Sequence, residues 1–129
     1  MALVLLGINH NTANIDFREQ VAFPPEKVGD AIRRASALDG VEELVIVSTC
    51  NRTELYVQID LGEASAVDPD IFIEEGLLRE QEQRLIAWLS EFHGLKQEEV
   101  RRSTYFRWRD DVIRHLMRVS CGLDSMVLG

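Results

Sequence analysis

The chain predicts an α+β domain with a mainly antiparallel sheet, and three observations carry that prediction. Runs of strand length and strand composition fall at Leu3–Ile8, Glu43–Ser48, Thr53–Ile59 and Ser103–Trp108. Stretches of helical periodicity separate the first run from the second and the third from the fourth. Only Thr49 to Arg52 join the second run to the third, which suits a hairpin. The order βαββαβ is that of the split βαβ, or ferredoxin-like, arrangement, with both helices on one face of the sheet. A further helix follows at the C-terminal end.

Leu3–Ile8 is apolar except at Gly7, as in a strand buried on both faces. The glycine marks a bulge or the close approach of another group. Asn9-His10-Asn11-Thr12 then makes a polar loop. Pro24-Pro25-Glu26 starts a helix, with proline and then an acid in its first turn. Val28, Ala31, Ile32, Ala35 and Leu38 form its apolar face, and Gly40 ends it. In the third strand Leu55, Val57 and Ile59 share one side, and Glu54, Tyr56 and Gln58 the other.

Leu61 to Asp68 reads as a solvated loop, and Asp68-Pro69 as a helix entry. Leu77, Leu78, Leu85, Trp88, Leu89 and Phe92 line that helix's apolar stripe; Gly76 weakens its start and Gly94 stops it. Ser103–Trp108 is rich in β-formers and gives the fourth strand. Asp110-Asp111 caps a last helix whose predicted buried side is Ile113, Leu116, Met117, Val119 and Leu123. The chain closes on Leu128-Gly129 without a polar tail, as expected of a cut through a longer protein.

At 129 residues, 46% hydrophobic and 28% charged, the chain is expected to form one soluble domain over 1–129 with its own core. Two cysteines, Cys50 and Cys121, are too few for a disulfide framework and point to a reducing, cytoplasmic compartment. No apolar run reaches the roughly 18–20 residues that span a bilayer, so no membrane association is expected. Ala2-Leu3-Val4-Leu5-Leu6 lacks a basic leader and a cleavage site and reads as a strand, not a signal peptide. The net charge of −8 repels nucleic acid phosphates over most of the surface, so a polynucleotide partner would be touched at its end. The eight glycines include no G-x-G-x-x-G on a strand-to-helix turn, so no dinucleotide site is expected. No metal site is expected either.

The most telling stretch is Ser48-Thr49-Cys50-Asn51-Arg52-Thr53-Glu54. It places a thiol on a tight connection between two strands, with an arginine two residues away. A thiol reacts as thiolate, and a neighbouring cation favours that form. Two readings stand. Most free cysteines pack as small apolar residues; the polar neighbours of Cys50 bring a reactive thiol level with that reading. His115 is either a hydrogen-bonded helix residue or a functional one. His10 reads as a loop cap near the sheet end where Cys50 lies, and His93, beside Gly94, as a helix C-terminal charge. Cys121 reads as structural.

Five segments, taken in order, resemble the N-terminal catalytic domain of the glutamyl-tRNA reductases over essentially the whole chain. They are Gly7-Ile8-Asn9-His10, Phe17-Arg18-Glu19, the Cys50 heptapeptide continuing to Leu55-Tyr56, His115-Leu116-Met117-Arg118-Val119, and the terminal block from Gly122 to Gly129. The resemblance implies that the Cys50 thiolate attacks the aminoacyl ester of glutamyl-tRNA(Glu). The resulting thioester is reduced by NADPH to glutamate-1-semialdehyde, the entry to tetrapyrroles. It implies that Arg52 holds the glutamate carboxylate, which suits a planar bidentate donor. It further implies that Thr49 and Asn51 line the same pocket, that Ser125 contacts substrate and that His115 serves activity.

In such enzymes NADPH binds a separate downstream domain. A Glu-Pro-Gln after the final Leu-Gly, a linker helix and a dimerisation domain also follow, and none of these is in the chain. The expected partners are glutamyl-tRNA(Glu), mainly its aminoacylated end, and, for the full-length enzyme, a second copy and glutamate-1-semialdehyde aminomutase. The chain alone is expected to act at most as a slow esterase. Two readings compete with this one: a non-catalytic ferredoxin-like ligand-binding or regulatory module with Cys50 incidental, and a redox-sensing or haem-linked thiol, for which no Cys-Pro pair or axial-ligand pattern is present.

Overall fold

The computed structural model describes residues 1–62 and 71–120, with side chains from residue 74 onward in the second stretch. β1 (Ala2–Asn9) leads to α1 (Ile15–Val21) and α2 (Pro25–Ser36), then to the hairpin of β2 (Val41–Ser48) and β3 (Arg52–Ile59). α3 (Ile71–His93), α4 (Gln97–Ser103), β4 (Tyr105–Trp108) and α5 (Asp110–Ser120) follow. The strands form one sheet in the order β2-β3-β1-β4, with every neighbouring pair antiparallel. β1, the most continuously apolar strand, lies inside the sheet, where both its faces are covered. Its pairing runs unbroken from Ala2↔Ile59 to Asn9↔Arg52, so Gly7 makes no bulge. A Cβ at Gly7 would lie 2.5 Å from the Tyr105 ring, so the glycine serves a close approach.

Alternation along β3 divides the molecule into two sides. Leu55, Val57 and Ile59 face a core shared with Val4, Leu6 and Ile8, covered by Ala31 and Ala35 of α2 and by Leu78, Leu85 and Leu89 of α3. Tyr56 and Leu5 face the other way, under Val112 of α5. The two long predicted helices therefore share one face, and the last helix closes the opposite one.

α1 and α4 have no counterpart in the order βαββαβ. Each is too short to show an apolar stripe: Val21 is the buried residue of α1 and Val100 that of α4. End chemistry holds them instead. The Asn14 side chain accepts from the Phe17 N–H at 2.9 Å to cap α1. Glu98 and Glu99 open α4 while Arg101 and Arg102 close it, which complements the helix dipole. Because α4 takes Ser103, the fourth strand begins at Tyr105. α3 runs straight through Gly76. The predicted helix entry at Asp68-Pro69, and the loop beyond Gly62, lie outside the described residues, as do residues 121–129.

The predicted buried side of α5 is wrong. Val112 and His115 are buried, whereas Ile113, Leu116 and Met117 are 45%, 36% and 64% exposed. Counting apolar residues selects the wrong stripe because a polar contact of His115 with the sheet decides how the helix sits. Val119 is half-buried, and Leu123 lies outside the described residues. Among the described residues no helix is long and apolar enough to cross a membrane. None of their His, Cys, Asp and Glu side chains group to hold a metal ion.

Candidate active site

The hairpin closes at Ser48↔Thr53. Beyond that pair the Thr49 N–H donates to the Arg52 carbonyl at 2.8 Å. The Thr49 hydroxyl oxygen accepts from the Asn51 and Arg52 N–H groups, each at 3.2 Å, a side-chain-braced turn. Cys50 sits in that turn, exposed, with Sγ 3.9 Å from Asn51 Oδ1. Its exposure rules out the packed-core reading.

α1 is fastened to this turn. Arg18 Nε donates to the Cys50 carbonyl at 3.2 Å, and Arg18 Nη1 donates to the Ala13 carbonyl at 2.9 Å. Ser48 Oγ accepts from the Phe23 N–H at 2.9 Å and lies 3.4 Å from Thr53 Oγ1. Between these ties is an open cleft of about 470 Å³. Ile15, Arg18, Glu19 and Ala22 line one side, Ser48, Thr49 and Cys50 the other, with Phe23 and Pro24 between them.

The opposite face of the sheet holds a buried polar cluster centred on Glu54, which is 1% exposed. Tyr105 donates its hydroxyl to Glu54 Oε2 at 2.6 Å, and Tyr56 donates to Oε1 at 2.9 Å. Arg52 Nη1 lies 3.5 Å from Oε2. His115 Nε2 meets the same oxygen, and its ring centroid is 5.4 Å from that of Tyr105. A carboxylate only accepts, so the imidazole proton that faces it sits on Nε2. Four donors make a buried carboxylate tolerable that would otherwise be too costly to desolvate. Burial first, and then the Glu54 charge, push the Tyr56 and Tyr105 hydroxyls well above the ordinary phenol range.

The predicted site residues thus fall into two groups. Arg52 and His115 come together through Glu54 on the α5 side. Thr49 and Cys50 open on the cleft, with Asn51 beside them in the turn. Ser125 and Cys121 lie outside the described residues. The guanidinium that touches the Cys50 turn is that of Arg18, whereas the Arg52 side chain turns to Glu54. Glu54 and Tyr105 escape a sequence reading because polar residues facing away from a main core look solvated. The signal for Glu54 is its place within the Cys50 heptapeptide.

His93 is not a helix-terminal charge. Its ring packs 4.7 Å from that of Phe23 and 5.2 Å from that of Phe92. Burial first, and the Lys27 cation second, hold it below the usual imidazole range, so it is neutral at pH 7.

Among solved structures the fold resembles glutamyl-tRNA reductase from Methanopyrus kandleri, with a TM-score of 0.57 over 96% of this chain and 23% of that one. At 22% identity this likeness shows the fold alone. The family described as "Glutamyl-tRNAGlu reductase, N-terminal domain" matches residues 6–129, and the chain belongs to that family. Relatives named glutamyl-tRNA reductase from Pseudoalteromonas translucida, Pseudomonas putida and Photobacterium profundum are each 43% identical over all 129 residues. The chain spans 26–27% of the length of these relatives.

Proposed function

We propose that this chain is the part of a glutamyl-tRNA reductase that captures the glutamyl group as a thioester on Cys50. The observation that carries the reading is the exposed Cys50 in a turn braced by Thr49 and Arg18 and open on a cleft. In the step itself Cys50 Sγ attacks the ester carbonyl carbon and the C–S bond forms. The bond to the ribose oxygen of the terminal nucleotide breaks, and the proton given up by the thiol ends on that oxygen.

Arg52, oriented by Glu54, presents a planar donor to the glutamate carboxylate. Thr49 and Asn51 border the same place, Ser125 adds a substrate contact, and His115, held by Glu54, serves as a proton carrier in the reaction. Glutamyl-tRNA(Glu) meets the domain at its aminoacylated end. The whole cytoplasmic protein pairs with a second copy and passes its product to the aminomutase. The whole enzyme uses NADPH, but the described residues offer no glycine-rich strand-to-helix turn to cradle it, so no step here runs through that cofactor. The antiparallel order β2-β3-β1-β4, with α2 and α3 on one face, supports a ferredoxin-like split βαβ into which α1 and α4 are inserted, as one domain over 1–129.

The test is a single-turnover reaction of the chain with glutamyl-tRNA(Glu) and no NADPH, beside Cys50→Ser. Loss of the aminoacyl ester that depends on Cys50 supports the reading. Equal loss in both proteins, or none in either, overturns it.

A further inference from the structure

We propose that the cleft between α1 and the hairpin turn receives the leaving group of this acylation, the terminal adenosine of the aminoacyl ester. The inference rests on the thioester reading above and adds a second subsite to it. Cys50 lies where the two sides of the sheet meet: Arg52 turns toward Glu54 and α5, whereas Ser48 and Thr53 turn toward Phe23 and α1. The carbonyl carbon under attack carries two arms, the glutamyl chain and the ribose oxygen, and they diverge. With the glutamyl arm on the Arg52 side, the ribose arm is left with the α1 side.

The chemistry of the cleft suits a nucleoside. Its volume of about 470 Å³ falls within the range, about 300–1,000 Å³, of small-molecule sites. Ile15, 55% exposed, and Ala22 and Pro24 give an apolar wall for the face of a base. Arg18 adds a guanidinium plane on which a base can stack, held in place by its bonds to the Cys50 and Ala13 carbonyls. The Glu19 carboxylate can accept from a ribose hydroxyl, as acids do in dinucleotide sites. The same carboxylate, on a chain of net charge −8, argues against phosphates settling there. Arg18 commits Nε and Nη1 to backbone carbonyls, which engages a donor nitrogen of each guanidinium edge and leaves it a poor two-donor fork for a glutamate carboxylate.

Adenosine is the probe, titrated into the 129-residue chain and followed by amide chemical shifts. Shifts are expected at Arg18, Glu19, Ala22 and Thr49, with a dissociation constant of roughly millimolar order. Binding should weaken by about tenfold in Ala22→Leu, which fills the cleft, and measurably in Glu19→Gln. Glu19 is exposed, so loss of binding in that variant does not come from unfolding. Absence of shifts at these amides up to about 20 mM adenosine overturns the proposal. So do shifts confined to Glu54 and His115, or free glutamate perturbing the cleft where adenosine does not. Adenosine binding needs no thiol chemistry, so this result is separate from the Cys50→Ser comparison. Thioester without adenosine binding removes the cleft assignment alone; adenosine binding without thioester removes the acylation reading.

Discussion

Tyr105 on β4 and Glu54 on β3 meet across the strand that separates them, the phenol donating to Glu54 Oε2 at 2.6 Å. The residue between them is Gly7, which pairs with Glu54 on one side and Tyr105 on the other. A side chain there would occupy the space of the tyrosine ring. Gly7→Ala is therefore expected to lower stability by about 1–3 kcal/mol, read from urea unfolding. In a Tyr105→Ala background the same substitution should be much milder. Equal losses in both backgrounds would remove the steric explanation.

The tyrosines give a spectroscopic check. The chain has two, Tyr56 and Tyr105, and both donate to Glu54. Their folded pKa values are raised above the ordinary 10.0 by burial and the neighbouring carboxylate. A raised pKa contributes stability that is complete below pH 10 and drains away as pH rises beyond it. Near-ultraviolet absorbance should show no phenolate around pH 10 in the folded chain, then a single cooperative rise on alkaline unfolding. A titration of either tyrosine near pH 10 in the folded state would contradict the buried cluster.

His93 carries the opposite sign at the acid end. Its folded pKa lies below 6.5, so both states are neutral above that value and its contribution is complete. As pH falls below 6.5 the unfolded chain takes the proton first, and stability declines until the folded pKa is reached. The melting temperature should drop over this window in the native chain and drop less in His93→Leu. Identical slopes in the two proteins would count against a buried neutral ring.

α5 offers a contrast between neighbouring positions. Val112→Ala removes buried methyl groups against Leu5 and Tyr56 and is expected to lose about 2 kcal/mol. Met117→Lys, on the exposed side, should stay within about 0.5 kcal/mol of the native chain. Urea midpoints in the reverse order would mean that the helix sits on its apolar stripe after all.

Arg18 ties the Cys50 turn to α1 through its contact with the Cys50 carbonyl, and a second contact, with the Ala13 carbonyl, holds the guanidinium in place. In Arg18→Met those contacts vanish while most of the aliphatic stem stays. The Asn51 and Arg52 amides should then exchange with solvent about tenfold faster or more, roughly the effect of one lost charge-assisted bond of local stability. Unchanged exchange at both amides would show that Thr49 alone holds the turn.

The side-chain alternation of β3 is legible because period-2 patterning reports burial directly, the apolar β1 because it is one unbroken run of strand length, and the hairpin because so few residues join its strands. α2 is legible from its proline start and its Val28–Ala31–Ala35 spacing. α1 and α4 are not, because seven-residue helices hold too little apolar surface to leave a periodic trace. At the site, the thiol in its tight turn shows in the sequence. The cluster that fixes Arg52 and His115 does not, since Glu54 and Tyr105 become neighbours only when β1 brings β3 and β4 to either side of Gly7. Arg18 is similarly hidden: its contact with Cys50 crosses 32 positions and exists only because α1 folds back on the hairpin.

Consecutive residues of β3 address different chambers, Arg52 and Glu54 one, Thr53 and Leu55 the other. The strand therefore behaves like a message with a reading frame. Exchanging one side chain alters one word, but deleting Glu54 would send every later side chain to the wrong address, Leu55 into the polar chamber and the Tyr56 phenol into the oil. Such a sequence can drift in composition while its length stays fixed.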